Sequence, residues 1–279
     1  MQNNSQVFNP VENAHEVSTR GAYLYEFSIC TLVTKKEEYG EMVTSFVNYG
    51  FAYDSCEYLY IDNSQGCQHD AFSGLNIFLQ KAQGKYIILC HQDILLYDHN
   101  KDDLKRCIAQ MNRIDPNWAI LGNAGGINLK WRALHITEKC GKIHKEKLLP
   151  LKVMNVDENF ILVKNGANLA LSRDLNGFHM YGTDICLIAD ILGYNAYVVD
   201  FNLIHKSNGN ADKSFYVLKD ALIQKYHRAF RVRFMLTTIT RFCISGNWWD
   251  ACFCNSKPIL FLARQYYKFF TRKEQYYKI

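Results

Sequence analysis

The triplet His91-Gln92-Asp93 directly follows a short apolar run, Tyr-Ile-Ile-Leu-Cys, at residues 86–90. Because the run is short and has no polar face, it predicts a buried strand of a parallel sheet. Side chains at the carboxyl end of such a strand face the crevice in which α/β proteins bind ligands. A carboxylate there can hold a hard divalent cation. The alternative is a polar turn in which Asp93 caps the next segment, and the triplet alone does not decide between the two.

Other polar residues that could bind a ligand or take part in catalysis lie near the ends of predicted strands and helices. They are Thr31, Asp62, Asn63, Asp184 and His205. Each also has an ordinary explanation, because Asp and Asn favour turns and helix caps, and Thr favours strands. Asp184 lies in the first turn of a predicted helix, where a carboxylate is favoured by the helix dipole. His205 follows a predicted strand, where a surface position is the simpler interpretation.

Strands and helices that would position these residues alternate along the chain. The helix Lys36–Asn48 carries apolar residues at helical spacing, since Tyr39, Met42, Val43 and Phe46 fall at i, i+3, i+4 and i+7. The first five predicted elements are a strand at 27–33, that helix, a strand at 57–64, a helix at 70–81 and a strand at 86–90. This order implies an α/β fold with a parallel sheet and right-handed crossovers.

The remaining predictions are less regular. They comprise helices at 101–114 and 182–192 and strands at 118–123, 159–163, 167–172 and 195–201, with residues 1–22 as an irregular arm. Residues 127–155 receive no firm assignment, although the sequence WRALHI favours a strand.

Composition limits the class of protein. With 279 residues, 48% hydrophobic and 21% charged, the chain is an ordinary globular one. The first residues are polar without an apolar stretch, and no run of about 18 apolar residues occurs, so we expect a cytoplasmic protein, located either in the cytosol or at the inner face of the membrane. Ten cysteines without a CxxC pair are expected to be reduced and mostly buried, with no structural zinc.

Positive charge is concentrated at the carboxyl end. Residues 228–279 contain ten Lys/Arg against two Asp/Glu, a net +8, which leaves 22 against 25, or −3, for the rest. Basic and aromatic residues alternate there, a composition that suits either a helical cap packed on the main domain or helices lying on an anionic membrane surface. Nucleic-acid binding ranks third and is not expected, because no recognition motif accompanies the charge.

Residues 25–210 resemble, motif by motif and in order, the nucleotide-sugar-dependent glycosyltransferases of the GT-A fold, in particular the family 2-like bacterial enzymes. FSICTLVT and YLYIDNS resemble that family's first two strands, and AQGKYIILCHQD resembles its A-x-G-x-Y-I-x-F-x-D-x-D passage. MYGTDICLIADILGY resembles its Y-G-E-D-x-D-L helix start, and IHKSNG resembles its downstream His segment.

This chain departs from the family pattern at two places. The usual DxD is His91-Gln92-Asp93, which lacks the first carboxylate and marks a subset of the family that carries HQD. The usual Glu-Asp pair is Thr183-Asp184. The missing carboxylate keeps open a catalytically silent GT-A-like module that binds a glycan or a partner. A nucleotidyltransferase is a further alternative. Such an enzyme would be expected to have a Gly-rich, Lys/Arg-containing signature after the first strand, where TLVTKKEEYG supplies only the lysines.

The resemblance implies an α/β, GT-A type (Rossmann-like) and mostly parallel sheet flanked by helices, over residues 23–210, with a basic, aromatic helical extension at 211–279. It implies inverting transfer from a nucleotide-diphosphate sugar, a UDP-sugar first among the expected donors, to a glycan or lipid-linked glycan acceptor in capsule or lipopolysaccharide synthesis. Asp93 and His205 would bind Mn²⁺ or Mg²⁺, and Asp184 would be the base. Thr31, Asp62, Asn63, His91 and Gln92 would contact the donor.

Overall fold

The computed structural model describes residues 22–146, 148–207 and 212–270. Nearly all of the predicted arm, residues 1–22, therefore lies outside the described residues. The chain divides into two compact units. The first comprises residues 1–172 and 181–208, and the second comprises residues 173–180 and 209–279.

The first unit alternates strands and helices. Its strands are β1 (Tyr25–Val33), β2 (Cys56–Asp62), β3 (Gly84–Cys90), β4 (Ile94–Leu95), β5 (Trp118–Gly122), β6 (Ala124–Gly126), β7 (Arg132–Glu138), β8 (Ile143–Lys145), β9 (Leu151–Val153), β10 (Asn155–Val156), β11 (Phe160–Lys164), β12 (Asn195–Val198) and β13 (Ile204–His205). Its α-helices are α1 (Lys36–Asn48), α2 (Ala71–Lys81), α3 (Lys101–Ile114) and α4 (Tyr181–Ile191).

The main sheet has seven strands in the order β2-β1-β3-β11-β5-β12-β9. The pairings make five strands point one way, while β11 and β9 run opposite to them. The predicted α/β class, with a mostly parallel sheet, is confirmed. Because β1 lies between β2 and β3 and all three are parallel, their carboxyl ends meet at one edge of the sheet.

The core holds β3 rigidly. Five consecutive residues of this strand, 86–90, are buried, as the apolar run predicts. Helix α1 buries Met42 and Phe46, and Phe46 packs on Phe51, with ring centroids 5.2 Å apart. Burying a large apolar side chain of this kind contributes about 1.5–3 kcal/mol. This packing fixes the position from which residues 91–93 leave the sheet.

A second sheet contains most of the short strands that the sequence pattern does not predict. Its order is β10-β6-β7-β13-β4, with β8 paired to β7. Residues 127–155, which received no assignment, contain β7, β8 and β9 and the first residue of β10, and WRALHI overlaps β7 as expected. Strands of two or three residues are too short to show an alternating pattern, which is why the sequence does not reveal them.

The predicted strand at 167–172 is wrong. The segment begins with the end of a 3-10 turn, Asn165–Ala167, and continues without strand pairing. Asn168 adopts a left-handed conformation, with φ 51°. Leu171 donates its backbone N–H to Asn76 Oδ1 at 2.8 Å and accepts from Asn76 Nδ2 at 3.0 Å. A side-chain amide therefore satisfies backbone groups that a neighbouring strand would otherwise pair.

The second unit contains more than the predicted helices. Its elements are α5 (Lys213–Ala229), β14 (Arg233–Leu236), β15 (Arg241–Ile244), α6 (Trp248–Cys254) and α7 (Lys257–Phe270). A β14–β15 hairpin stands where helix was expected, and residues 237–240 form its turn, closed by the Thr237 N–H donating to the Thr240 carbonyl at 2.9 Å. Within the described ranges, no helix is long and apolar enough to cross a bilayer.

All ten cysteines are free thiols, and six of them are buried. The expectation that most of them lie in the core is confirmed.

Candidate functional site

The candidate site forms where β3 ends. Asp93 is followed immediately by β4, which pairs antiparallel with β13, so that His205 lies opposite Ile94. The backbone N–H of Lys206 donates to the carbonyl of Asp93 at 3.0 Å. The second sheet therefore brings His205 to Asp93 across more than a hundred residues of chain.

Three side chains converge there. Nδ1 of His91 lies 3.8 Å from Oδ1 of Asp93, and Nε2 of His205 lies 3.6 Å from the same oxygen. One ligand atom from each of the three residues falls within 4.8 Å of the others. Asp93 and His205 are mostly buried, whereas His91 is more open to solvent.

Asp93 carries a negative charge in this setting. Burial alone would raise the pKa of its carboxyl group. The imidazoles of His205 and His91 and the hydroxyl of Ser207 outweigh that effect and hold the pKa of the Asp93 carboxyl group well below its usual range. The carboxylate is therefore ionised at neutral pH.

Tyr181 sets the orientation of His91. Its hydroxyl lies 2.9 Å from Nε2 of His91 and donates to the backbone carbonyl of Glu158 at 3.1 Å. While the hydroxyl gives its one proton to Glu158, its second contact is with a proton on Nε2 of His91. In a neutral imidazole with that proton, the lone pair is on Nδ1, the atom that faces Asp93. Burial, and next the Glu158 charge, raise the pKa of Tyr181 far above its usual value, so the hydroxyl stays protonated.

This donor set fits a divalent transition-metal ion. A carboxylate oxygen and two imidazole nitrogens suit Mn²⁺ better than Mg²⁺, which prefers oxygen ligands. An ion with bonds of about 2.1 Å can join ligand atoms up to about 4.2 Å apart. The two separations from Asp93, 3.6 and 3.8 Å, lie within that span, and the two imidazole nitrogens lie within 4.8 Å of each other. His91 was predicted to contact the nucleotide-sugar donor, and the structure places it among the candidate metal ligands.

Gln92 points to the loop between β1 and α1. Its Oε1 accepts from the backbone N–H groups of Thr34 at 2.8 Å and Lys35 at 3.0 Å. Its Nε2 donates to the Thr34 hydroxyl at 2.9 Å. By these bonds, the Gln92 amide connects the start of α1 to the end of β3.

Asp62 ends β2 at the same edge of the sheet, and Asn63 follows it. Oδ2 of Asp62 lies 2.7 Å from Nζ of Lys36, and Oδ1 accepts from the Ser64 N–H at 2.9 Å. The Lys36 contact, and next Ser64, lower the pKa of Asp62 to about 2. Asn63 is buried and uses both ends of its amide on residues 68 and 69 of its own loop. Asp62 therefore faces the edge, while Asn63 shapes the loop beside it.

Two predicted site residues lie inside the protein. Thr31 has no exposed surface, and its hydroxyl is 3.4 Å from Sγ of Cys90. Asp184 is also completely buried, and its carboxylate accepts from the N–H of Ser172 at 2.8 Å and from the Ser172 hydroxyl at 2.6 Å. A general base must reach the proton that it accepts. In this structure Asp184 does not reach solvent, and its bonds to Ser172 anchor α4 to the preceding segment.

Sequence reasoning assigned no role to Tyr181, Glu158 or Ser207. Tyr181 lies in the MYGTD motif, two residues before Thr183 and three before Asp184. Ser207 lies within IHKSNG, and its hydroxyl is 3.0 Å from Nε2 of His205. The sequence signal that could have indicated Tyr181 and Ser207 is their position inside motifs of the resemblance.

No family model matches the chain. Among solved structures, it is similar to the mannosyltransferase PcManGT of Pyrobaculum calidifontis in complex with GDP-Man and Mn²⁺ (TM-score 0.49, 11% identity, 77% of this chain and 68% of that one). It is also similar to residues 1–349 of S. aureus TarS (TM-score 0.43, 12% identity, 65% of this chain and 60% of that one). Over 234 residues it is 36% identical to the protein named ATP synthase subunits region ORF 6 of Fuscovulum blasticum, covering 81% of this chain and 93% of the relative. This chain belongs to the same family as that Fuscovulum blasticum protein.

Proposed function

We propose that the chain is a metal-dependent, inverting glycosyltransferase that moves a sugar from a nucleoside-diphosphate donor to a glycan or lipid-linked glycan. The observation that carries the proposal is the group His91, Asp93 and His205 at the carboxyl end of β3. It stands at the sheet edge where Asp62 ends β2, and its order in the chain matches the motif series of the family 2-like enzymes. We place the reaction in capsule or lipopolysaccharide synthesis, at the cytoplasmic face of the membrane.

The donor's nucleoside would bind at Asp62. Its ionised carboxylate, held by Lys36, can accept hydrogen bonds from ribose hydroxyls or from the N–H of a uracil-type base. For this reason we propose a UDP-sugar as the donor. Gln92 would keep the β1–α1 loop in position beneath it.

The donor's diphosphate would lie at the group of three. The ionised carboxylate of Asp93 would hold Mn²⁺ together with Nδ1 of His91 and Nε2 of His205. Tyr181 would keep the His91 proton on Nε2, the nitrogen opposite the metal. When bound, such an ion neutralises the negative charge that develops on the departing diphosphate.

The acceptor hydroxyl needs a base, and we propose Glu158 in place of Asp184. Glu158 is partly exposed. Its backbone carbonyl accepts from Tyr181, and its carboxylate Oε1 lies 3.4 Å from the N–H of Gly182 at the start of α4. Through Tyr181, the backbone of Glu158 is linked to His91 of the group of three. The Glu158 carboxylate would take the acceptor proton as the new bond to the anomeric carbon forms, with the nucleoside diphosphate leaving from the opposite face.

Release of nucleoside diphosphate from a panel of sugar nucleotides with Mn²⁺ tests the proposal. We expect release with one donor class, dependence on the metal, and loss of both release and metal-dependent nucleotide binding in Asp93→Ala. Asp102→Ala, which removes an exposed carboxylate on α3, is the matched control and should behave as wild type. Release that survives in Asp93→Ala with an unchanged metal response would contradict the assignment of the ligand.

A catalytically silent module is the second candidate, and the histidine that replaces the first carboxylate of the DxD motif favours it. Such a protein would bind a sugar nucleotide and Mn²⁺ without releasing diphosphate in the presence of any acceptor. The same panel therefore separates the two. A nucleotidyltransferase would instead release pyrophosphate from a nucleoside triphosphate.

A further inference from the structure

The second unit exposes a large amount of aromatic and aliphatic surface. None of the residues of α6 and α7 is buried. Trp249 on α6 is 75% exposed, and Phe270 on α7 is 73% exposed. A helix side that presents several large apolar residues is normally covered by something, and monomers in water rarely expose many such side chains together. This face therefore indicates a partner.

A cavity of 840 Å³ lies between the β14–β15 hairpin and α7. Its volume is within the range of about 300–1,000 Å³ that is typical of ligand sites. Apolar side chains from both elements form its walls, among them Phe234 and Leu236 of the hairpin and Leu260 of α7. Residues 260, 263, 264, 267 and 268 line it at helical spacing, so one whole face of α7 borders the cavity.

Three cations join the apolar walls. They are Arg241, Arg264 and Lys268. Among the residues that the structure describes, no carboxylate lies within 4.0 Å of any of the three. Residues 231–270 contain six Lys/Arg and one acid, Asp250. The cavity therefore combines an apolar interior with uncompensated positive charge, which is complementary to an amphiphilic anion.

We propose that this cavity binds an anionic phospholipid at a bilayer surface. The phosphate lies among Arg241, Arg264 and Lys268, an acyl chain lies along the apolar walls, and the exposed aromatic residues of α6 and α7 enter the interface. Charge selects this occupant over a second copy of the chain, because two copies would bring the same excess of cations face to face. The inference rests on the membrane-face location in the proposed function, and its test uses no sugar nucleotide, so either one can fail alone.

Co-sedimentation of the full chain with vesicles tests the site. We expect strong binding to vesicles of phosphatidylcholine and phosphatidylglycerol in equal parts, weak binding to pure phosphatidylcholine, and a decrease with added salt. The variant Arg241→Gln/Arg264→Gln/Lys268→Gln should lower the partition coefficient roughly 100-fold, since each cation near an anionic surface contributes roughly fivefold.

The matched control is Lys81→Gln/Lys139→Gln/Lys142→Gln. These three exposed lysines lie in the first unit, and the control reaches the same net charge of +2, which is +5 minus three. It should change the partition coefficient by less than about threefold, because a general charge effect is screened beyond about 10 Å. Equal losses in the two triple variants would overturn the proposal, as would equal binding to charged and uncharged vesicles.

Tryptophan emission supplies a second measurement that does not depend on the arginines. Trp248 and Trp249 lie on the exposed face, so vesicles with brominated acyl chains should quench them, and Trp248→Phe/Trp249→Phe should lose most of that quenching. Inorganic phosphate alone should neither quench nor compete at equal concentration, whereas free phosphatidylglycerol should compete. Binding without quenching, or displacement by inorganic phosphate, would overturn a bilayer as the source of the anion. Circular dichroism of every variant checks that it is folded.

Discussion

The hydroxyl of Tyr181 lies 2.9 Å from Nε2 of His91 and donates its own proton to the carbonyl of Glu158. These two residues are 90 positions apart in the chain. With the hydroxyl donating to Glu158, a neutral His91 carries its proton on Nε2, and Nδ1, which faces Asp93, has the lone pair. A metal-ligating histidine commonly has its other ring nitrogen held in this way.

Tyr181→Phe should weaken Mn²⁺ binding about 10-fold to 100-fold, the range found when an outer partner of a ligating histidine is removed. Without the hydroxyl, His91 can carry its proton on Nδ1 and turn it toward Asp93. Titration calorimetry with Mn²⁺ in the absence of donor measures this directly. Tyr53→Phe, at an exposed tyrosine, is the control. Unchanged Mn²⁺ affinity in Tyr181→Phe, with His91→Ala also unchanged, would remove His91 from the ligand set.

Glu158→Gln should lower the transfer rate by about 10²–10⁴, the usual contribution of a positioned base. Donor affinity and Mn²⁺ affinity should stay close to wild type, because the amide keeps the shape of the side chain. Asp157→Asn is the matched control at the adjacent, exposed acid, and should retain most of the activity. A normal rate in Glu158→Gln would show that the base lies elsewhere.

Asp184→Asn should destabilise the fold by about 1–3 kcal/mol, because its amide group would meet two donors of Ser172 that now bind a carboxylate. Transfer by the folded fraction should continue. Thermal melting and transfer rate, measured on the same sample below the melting temperature, separate the two effects. Asp190→Asn, at an exposed site on the same helix, should change stability by less than about 0.5 kcal/mol. A normal melting temperature with transfer lost would restore Asp184 as a catalytic residue.

Lys36→Met should raise the pKa of Asp62 from about 2 toward its ordinary value of 3.8. Because the folded-state pKa lies below the ordinary one, this contact stabilises the fold above about pH 4 and is lost as the pH falls toward 2. The variant should therefore lose less stability over that interval. A carbon-13 NMR titration of the Asp62 carboxyl group gives the pKa, with Lys35→Met as control. A pKa that does not move would mean that Lys36 is not its partner in solution.

Much of the first unit follows from the sequence by itself. The helices Lys36–Asn48 and Lys101–Ile114 begin and end where apolar spacing and the proline at 116 predict. The buried strand β3 and the polar triplet after it are equally evident, because five apolar residues followed by three polar ones form a local signal. Helical and strand periodicity act over a few residues, so they can be read without knowledge of the rest of the chain.

The site's chemistry depends on the tertiary structure. Asp184 has the sequence context of a base, yet packing buries it against Ser172. His205 reaches Asp93 only because two strands of two residues each pair across the second sheet. Tyr181 acquires a role only when the first residue of α4 meets His91, directly after the end of β3. Contacts between residues 90 or more positions apart leave no periodic trace in the sequence, since they arise from how buried faces of separate elements fit together.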